Sequence, residues 1–363
     1  MNTNAFRLAV MPGDGIGVEV MDAALAVLDA VEKRHGLAFD RQTIPGGAHH
    51  YKETGTALDE AGFEAAAAAD AVLFGAMGWP DIRYPDGTEI APQLDLRFRM
   101  NLYAGVRPIR AIPGVPTALA DPRAAGIDLV VLRESTEGLF TSRGKGVIED
   151  DRVARDTLEI TRDVTERLTR FAFRLAERRA SRLGRRGTVT LVDKANVFRS
   201  FAFMRKVFYE AAAAFAEVDA RHHYIDAMAL DLVRRPWDFD VLPMENMFGD
   251  IMSDLGAGLI GGMGFAPSAD IGDAHGLFQP SHGSAPDIAG QGKANPTAMI
   301  LSLAMLLDWL GERHDSQACA EAARAVEQGV DAAFGSGEVR SYDIGGRDGT
   351  GAIARAVIGH LGA

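Results

Sequence analysis

Apolar positions along the chain alternate between short unbroken runs and stretches with helical spacing. Phe6 to Met11 (FRLAVM) is a run of strand length, Gly13-Asp14-Gly15-Ile16-Gly17 a turn, and Val20 to Val31 a helical repeat. Further buried strands are predicted at Ala71–Phe74 (AVLF), Asp128–Leu132 (DLVVL) and Val189–Val192 (VTLV). Helices are expected over Asp156–Arg178 and Phe201–Ala216. The alanine-rich tracts Glu64–Asp70 and Glu210–Val218 also read as helix, because alanine has the highest helix propensity. Strands alternating with helices define an α/β protein. No proline falls between Pro122 and Pro236, whereas both flanks are rich in proline or glycine. This predicts a central domain, 109–260, inserted between the halves 1–108 and 261–363 of an outer domain.

Composition then removes whole classes of function. The 363 residues are 47% hydrophobic and 24% charged, which excludes a disordered chain. No apolar stretch nears the roughly 18 residues of a spanning helix, so no membrane partner is expected. The start, MNTNAFRLAVMPGDG, lacks a basic segment followed by an apolar one, so no signal peptide is predicted and the cytoplasm is the expected compartment. The single cysteine, Cys319, excludes a disulfide framework or a cysteine zinc cluster within one chain. A net charge of −12 argues against a nucleic-acid partner. An anionic substrate would need arginines concentrated locally.

Such a concentration exists. Arg97, Arg99, Arg107 and Arg110 crowd one segment, and Arg133 directly follows the strand Asp128–Leu132, where open α/β sheets collect functional groups. Arginine forks bind carboxylates bidentately. Asp250 and Asp254 are spaced to share one helix face, and with Asp226 they offer the hard oxygen ligands that suit Mg²⁺ or Mn²⁺. Lys194 ends an apolar strand, where partial desolvation suits a lysine to proton transfer. The loop His282–Pro296 carries glycines that let backbone N–H groups approach phosphates, and Asp287 could hold ribose hydroxyls. Gly256-Ala-Gly258-Leu-Ile-Gly261 spells G-x-G-x-x-G but follows a helical pattern, so it is read as a packing surface.

In order, LRFRMNLYAGVRP, LRESTEGLF, VDKAN, DAMAL, NMFGDIMSD and HGSAPDIAGQGKANPTA resemble the β-decarboxylating 3-substituted-malate dehydrogenases of the isocitrate/isopropylmalate dehydrogenase family. The likeness runs from Gly13-Asp14-Gly15-Ile16-Gly17 to Tyr342-Asp343-Ile344-Gly345-Gly346. It implies a two-domain α/β fold that is not a Rossmann fold, and a homodimer whose clefts are shared between subunits. It implies NAD and Mg²⁺ or Mn²⁺ as cofactors, with a small anionic hydroxy acid as substrate. Arg97, Arg107 and Arg133 would bind carboxylates, and Asp226, Asp250 and Asp254 the metal. Lys194 and Asp226 would act in catalysis. His282, Gly283, Ser284, Ala285, Asp287, Ile288, Asn295 and Asp343 would bind the cofactor. Asp287-Ile288 stands where NADP-using relatives carry lysine-tyrosine, which implies NAD.

The lead activity is oxidative decarboxylation of a 3-isopropylmalate-type acid. Tartrate, D-malate, homoisocitrate and isocitrate are the alternative substrates, and a catalytically silent regulatory homologue is the alternative class. The segment Glu89–Leu94, which would meet the 3-substituent, resembles neither the leucine-rich isopropylmalate version nor the serine/asparagine isocitrate version. Three positions depart from the family pattern. Phe140 stands where the family has a catalytic tyrosine, Val18 replaces a proline, and Gln279 replaces a glutamate expected near the cofactor.

Overall fold

The structure, a computed structural model, describes residues 5–362. It is an α/β protein with a central domain inserted between the halves of an outer one. The outer unit takes in the chain up to Leu102, Ala111–Ala118, and everything from Ile260 on. The inserted unit is Tyr103–Arg110 and Leu119–Leu259.

The outer unit opens with β1 (Phe6–Gly13), α1 (Ile16–His35), β2 (Phe39–Thr43), α2 (Ala48–Thr54), α3 (Glu60–Ala68), β3 (Ala71–Ala76) and α4 (Pro92–Arg99). The inserted unit begins with β4 (Ala104–Arg110), β5 (Asp128–Glu134), and a hairpin of β6 (Val147–Glu149) and β7 (Val153–Arg155). There follow α5 (Arg162–Leu183), β8 (Thr188–Asp193), α6 (Arg199–Ala212), β9 (Asp219–Tyr224), α7 (Ile225–Arg234), β10 (Val241–Met244) and α8 (Asn246–Leu259). The chain closes with β11 (Pro267–Ile271), β12 (Gly276–Pro280), α9 (Thr297–Arg313), α10 (Gln317–Gly335) and α11 (Thr350–His360).

In the outer unit the strands run β2-β1-β3-β12-β11, parallel except for the antiparallel β11–β12 pair. In the inserted unit they run β4-β5-β10-β8-β9, with only β4 antiparallel. β3, β5 and β10 are buried almost throughout, as parallel strands covered on both faces must be. The helical repeat seen in α1 turns Val20, Met21, Ala24, Val27, Leu28 and Val31 into the core.

Three sequence expectations are corrected. The helix expected from Asp156 starts at Arg162, because Val153–Arg155 is taken into the hairpin and Thr161 caps the first turn. The tract Glu210–Val218 is helical only to Ala212. Beyond it Phe215 stacks on Phe173 at 5.1 Å, and the chain turns by i→i+3 hydrogen bonds into β9. The tract Glu64–Asp70 ends its helix at Ala68, and Asp70 instead accepts the Arg7 N–H at 2.7 Å, where β3 lines up beside β1. Gly256 and Gly258 lie inside α8, which supports reading their G-x-G-x-x-G as packing.

The turn after β1 is held by Asp14, a buried residue that sequence reasoning took only as part of a glycine turn. Its carboxylate accepts the backbone N–H groups of Ala48 at 2.7 Å, His49 at 3.0 Å and Gly78 at 2.9 Å. Gly17, at the start of α1, lets the helix touch two strand ends. A Cβ there would lie 2.4 Å from Pro12 O and 2.6 Å from Ala76 N, both backbone atoms that cannot swing away. Gly17→Ala is therefore expected to cost about 1–3 kcal/mol of stability. Thermal denaturation checks this, and an unshifted midpoint would contradict the close approach.

Candidate active site

Strand ends position the charged groups of the inserted unit. β5 delivers Arg133 at its C-terminal end, with the side chain only 5% exposed. Arg133 Nε donates to Asn246 Oδ1 at 2.9 Å, and the guanidinium pairs with Asp250, whose own side chain is 53% exposed. Asn246 begins α8 and uses its Nδ2 to donate to Glu137 O at 3.0 Å. α8 can lie this close because residue 249 is glycine: a Cβ there would sit 2.6 Å from Arg133 Cβ.

One helical turn beyond Asp250 stands Asp254, also exposed. Partial desolvation, then the neighbouring Asp250 charge, hold its carboxyl above the ordinary range, while Arg107 and Arg133 pull it down. The inserted unit thus gathers Arg107, Arg133, Asp250 and Asp254 into one electrostatic group. Two carboxylates of like charge, one already raised, are the donor set that a hard dication relieves.

Lys194 and Asp226 form a second group. Lys194 follows β8, and its Nζ donates to Asp226 Oδ1 at 2.5 Å, which holds the Asp226 carboxyl below the ordinary range. Asp193, fully buried, fixes the turn before it. It takes Arg205 bidentately at 2.8 and 2.6 Å and the Ala195 N–H at 2.9 Å. Among the described residues no three His, Cys, Asp or Glu side chains converge on a metal position, so Asp226 does not complete the Asp250–Asp254 pair within one chain.

Two buried carboxylates that sequence reasoning missed shape the loop carrying Phe140. Glu134 accepts the Thr136 N–H, the Thr136 hydroxyl and the Glu137 N–H at 2.6–2.8 Å, yet burial lifts its carboxyl to about 7. Glu245 accepts from Met247 and Phe248 at the start of α8 and from Leu139 N across the loop, and burial raises it too. The only available signal was an acidic residue at the end of an apolar run. The Phe140 ring lies 5.0 Å from the Arg133 guanidinium carbon. The neighbouring Thr141 hydroxyl donates to Gly138 O at 2.9 Å, so its proton is already engaged.

In the outer unit, Arg97 is buried on α4, with Nε 3.0 Å from Asp270 Oδ2. Gln279 was expected near the cofactor. It is buried on β12, and its amide donates to that same Asp270 oxygen at 2.9 Å. The loop after β12 borders a cleft of about 410 Å³ lined by Ile16, His282, Ile288, Asn295, Tyr342 and Asp343. Asn295 donates to Asp343 Oδ2 at 3.0 Å, and the Ser341 hydroxyl donates to the other Asp343 oxygen. Burial pushes the His282 imidazole down, towards its neutral form, and its buried Nε2 has no hydrogen-bond partner in the described structure. An apolar cleft with one orphaned ring nitrogen fits a flat heteroaromatic group such as adenine. Ser284 is spent on structure, donating to Gly78 O at 2.5 Å; Ala285 has φ 36°, and Gly283 and Asp287 are exposed.

Residues 7–357 match the family described as isocitrate/isopropylmalate dehydrogenase. The chain belongs to that family. It is 42% identical over 352 residues to the 3-isopropylmalate/3-methylmalate dehydrogenase of Methanocaldococcus jannaschii, covering 97% of each chain. It is also 42% identical over 353 residues to the 3-isopropylmalate dehydrogenase of Salinibacter ruber, covering 94% of this chain and 91% of that one. Among solved structures, an isocitrate dehydrogenase from Methylococcus capsulatus superposes with a TM-score of 0.83 at 34% identity, over 98% of this chain and 99% of that one. Membership in the isocitrate/isopropylmalate dehydrogenase family makes the protein an NAD-dependent decarboxylating dehydrogenase of a malate- or isocitrate-type acid.

Asp250→Asn removes one charge from the α8 pair without touching the core. The expected result is weakened Mn²⁺ binding and loss of turnover in a folded protein, read by Mn²⁺ titration beside circular dichroism. A variant that titrates like the parent would make the acidic pair structural.

Proposed function

We propose that this protein carries out NAD-dependent, divalent-metal-dependent oxidative decarboxylation of a 3-substituted malate, with 3-isopropylmalate as the lead substrate. The observation that carries the reading is the Arg133–Asp250–Asp254 group: a carboxylate-binding guanidinium set against a pair of metal-type oxygens at the end of a parallel strand. Similarity to proteins named for 3-isopropylmalate supports that lead.

In this reading Arg97, Arg107 and Arg133 hold the substrate carboxylates. Lys194 takes the proton of the substrate hydroxyl, directly or through water, and Asp226 keeps its Nζ in place. Asp250 and Asp254, together with Asp226 of the partner subunit, would hold Mg²⁺ or Mn²⁺, which would supply Lewis-acid stabilisation of negative charge on the substrate. His282–Asn295 and Asp343 would hold the adenosine half of NAD, which would supply the hydride acceptor. Asp287 accepts hydrogen bonds from ribose hydroxyls and repels a 2′-phosphate.

The experiment is a panel of 3-isopropylmalate, isocitrate, homoisocitrate, D-malate and tartrate with Mn²⁺ and either NAD or NADP, following reduced nucleotide and CO₂ separately. The expected outcome is matched release of both with 3-isopropylmalate, and a preference for NAD of at least about 10-fold, or ~1.4 kcal/mol. Failure of 3-isopropylmalate beside another active acid would replace the lead. Equal efficiency with NADP would remove Asp287 from cofactor selection.

Phe140 has no proton to give, and Thr141 is engaged with Gly138 O. The acid that would return a proton to carbon after CO₂ leaves is therefore absent at this position, a loss typically of 10² to 10⁴ in rate. Phe140→Tyr is expected to raise the steady-state rate, and the parent to show a burst of NADH before a slower phase. A slower tyrosine variant, with no burst in the parent, would move Phe140 into the specificity pocket.

A homodimer with shared clefts completes the reading. It is supported by exposed apolar residues on the inserted unit: Ile148 on the β6–β7 hairpin, Val197 and Phe198 after Lys194, Leu230 on α7 and Ile251 on α8. Mixing inactive Lys194→Ala and Asp250→Asn chains is expected to restore activity, because one cleft of the mixed dimer collects both lesions and the other none. No recovery after subunit exchange would mean that each cleft is built from one chain.

A further inference from the structure

Arg97 is ion-paired with Asp270, which in turn is hydrogen-bonded by Gln279. β11 and β12 are antiparallel, with Ser268 opposite Gln279 and Asp270 opposite Leu277. Asp270 is therefore the diagonal neighbour of Gln279 on the same sheet face, within reach of a long side chain. Gln279 Nε2 donates to Asp270 Oδ2 at 2.9 Å, and that oxygen also lies 3.0 Å from Arg97 Nε. The Arg97 side chain is 6% exposed and that of Asp270 is fully buried. Gln279 is fixed in turn, since its backbone carbonyl accepts the Ser302 hydroxyl at 2.8 Å from α9.

We infer that Asp270 and Gln279 are positioning residues that set the orientation of Arg97 and the charge around it, and through these the grip on a substrate carboxylate. The inference rests on the assignment of Arg97 to a carboxylate given above. Asp270 stands against the Nε edge of the guanidinium as an ion pair, 3.0 Å away. Gln279 supplies a hydrogen-bond donor to Asp270 without adding charge. Beside the buried Asp270 carboxylate, an ionised group at position 279 would add a second negative charge, make the surroundings of Arg97 more negative and weaken its hold on an anionic substrate.

The test is Gln279→Glu, with steady-state constants measured from pH 6 to 9. Position 279 faces Asp270 of β11, whose carboxylate lies against Arg97 of α4. α9 presents the Ser302 hydroxyl, and β3 pairs through the apolar Val72 and Leu73. At high pH the variant is expected to raise KM for the hydroxy acid at least about 10-fold, with kcat changed less than about two-fold. The KM ratio of variant to parent should fall towards one as pH drops, because a protonated carboxyl at position 279 donates to Asp270 as the amide does. Gln279→Met, uncharged and of similar length, should raise KM less and with no pH dependence in the ratio. It also serves if Gln279→Glu fails to fold. Arg97→Gln separates the two claims: unchanged KM in that variant would sink the carboxylate assignment itself. Raised KM there, beside unchanged or pH-independent KM in Gln279→Glu, would overturn only the role of position 279. A Gln279→Met variant with the KM of the parent would do the same.

Discussion

A buried guanidinium that reaches a half-exposed carboxylate organises the inserted unit. Arg133 lies at the end of β5, is oriented through its Nε by Asn246, and pairs with Asp250 one turn into α8. Taking an arginine out of water is costly unless its donors are met, so the contact between β5 and α8 must be made with little tolerance. Gly249 permits that contact, and Glu245 together with the Asn246 amide ties the 137–139 loop to the same helix start. The carboxylates on the exposed face of α8 are consequently presented on rigid backbone, and the aromatic ring at position 140 is set against the same arginine.

The outer unit applies the same device differently. There the turns after strands are fixed by buried acceptors and hydroxyls: Asp14 gathers backbone N–H groups from Ala48, His49 and Gly78, and Ser284 grips the Gly78 carbonyl. The loop beside the His282 cleft is thereby tied to the β1 turn. Arg97 is ion-paired with Asp270, whereas Arg133 donates a hydrogen bond to Asn246. In both units a buried arginine meets a buried polar partner on a neighbouring element.

Strand runs such as AVLF and DLVVL were legible in the sequence because a strand buried on both faces has to be continuously apolar. The helical period of α1 was legible for a similar reason. The ends of elements were not. Where the Glu210–Val218 tract leaves its helix depends on Phe215 finding Phe173, a contact far apart in sequence that local propensity does not encode. The same holds for the site. Arginines, the Asp250–Asp254 pair and Lys194 could be picked out because their spacing or strand-end position carries information. Glu134, Glu245, Asn246, Asp270 and Asp14 could not, since their roles come from partners on other elements. Gln279 was read as a lost charge near a cofactor, and the contact its amide makes with the Asp270 carboxylate was not visible in the sequence.

The central proposal is that Asp250, paired with Arg133, is also the carboxylate a divalent cation would take, so that the two positive charges would compete for it. The most direct measurement is Mn²⁺ affinity of the Arg133→Gln variant without hydroxy acid, from the electron paramagnetic resonance of free Mn²⁺. Because the pair is half-exposed, the gain is modest: the account predicts binding about two- to five-fold tighter than in the parent. Unchanged or weaker Mn²⁺ binding in a folded Arg133→Gln protein would contradict it.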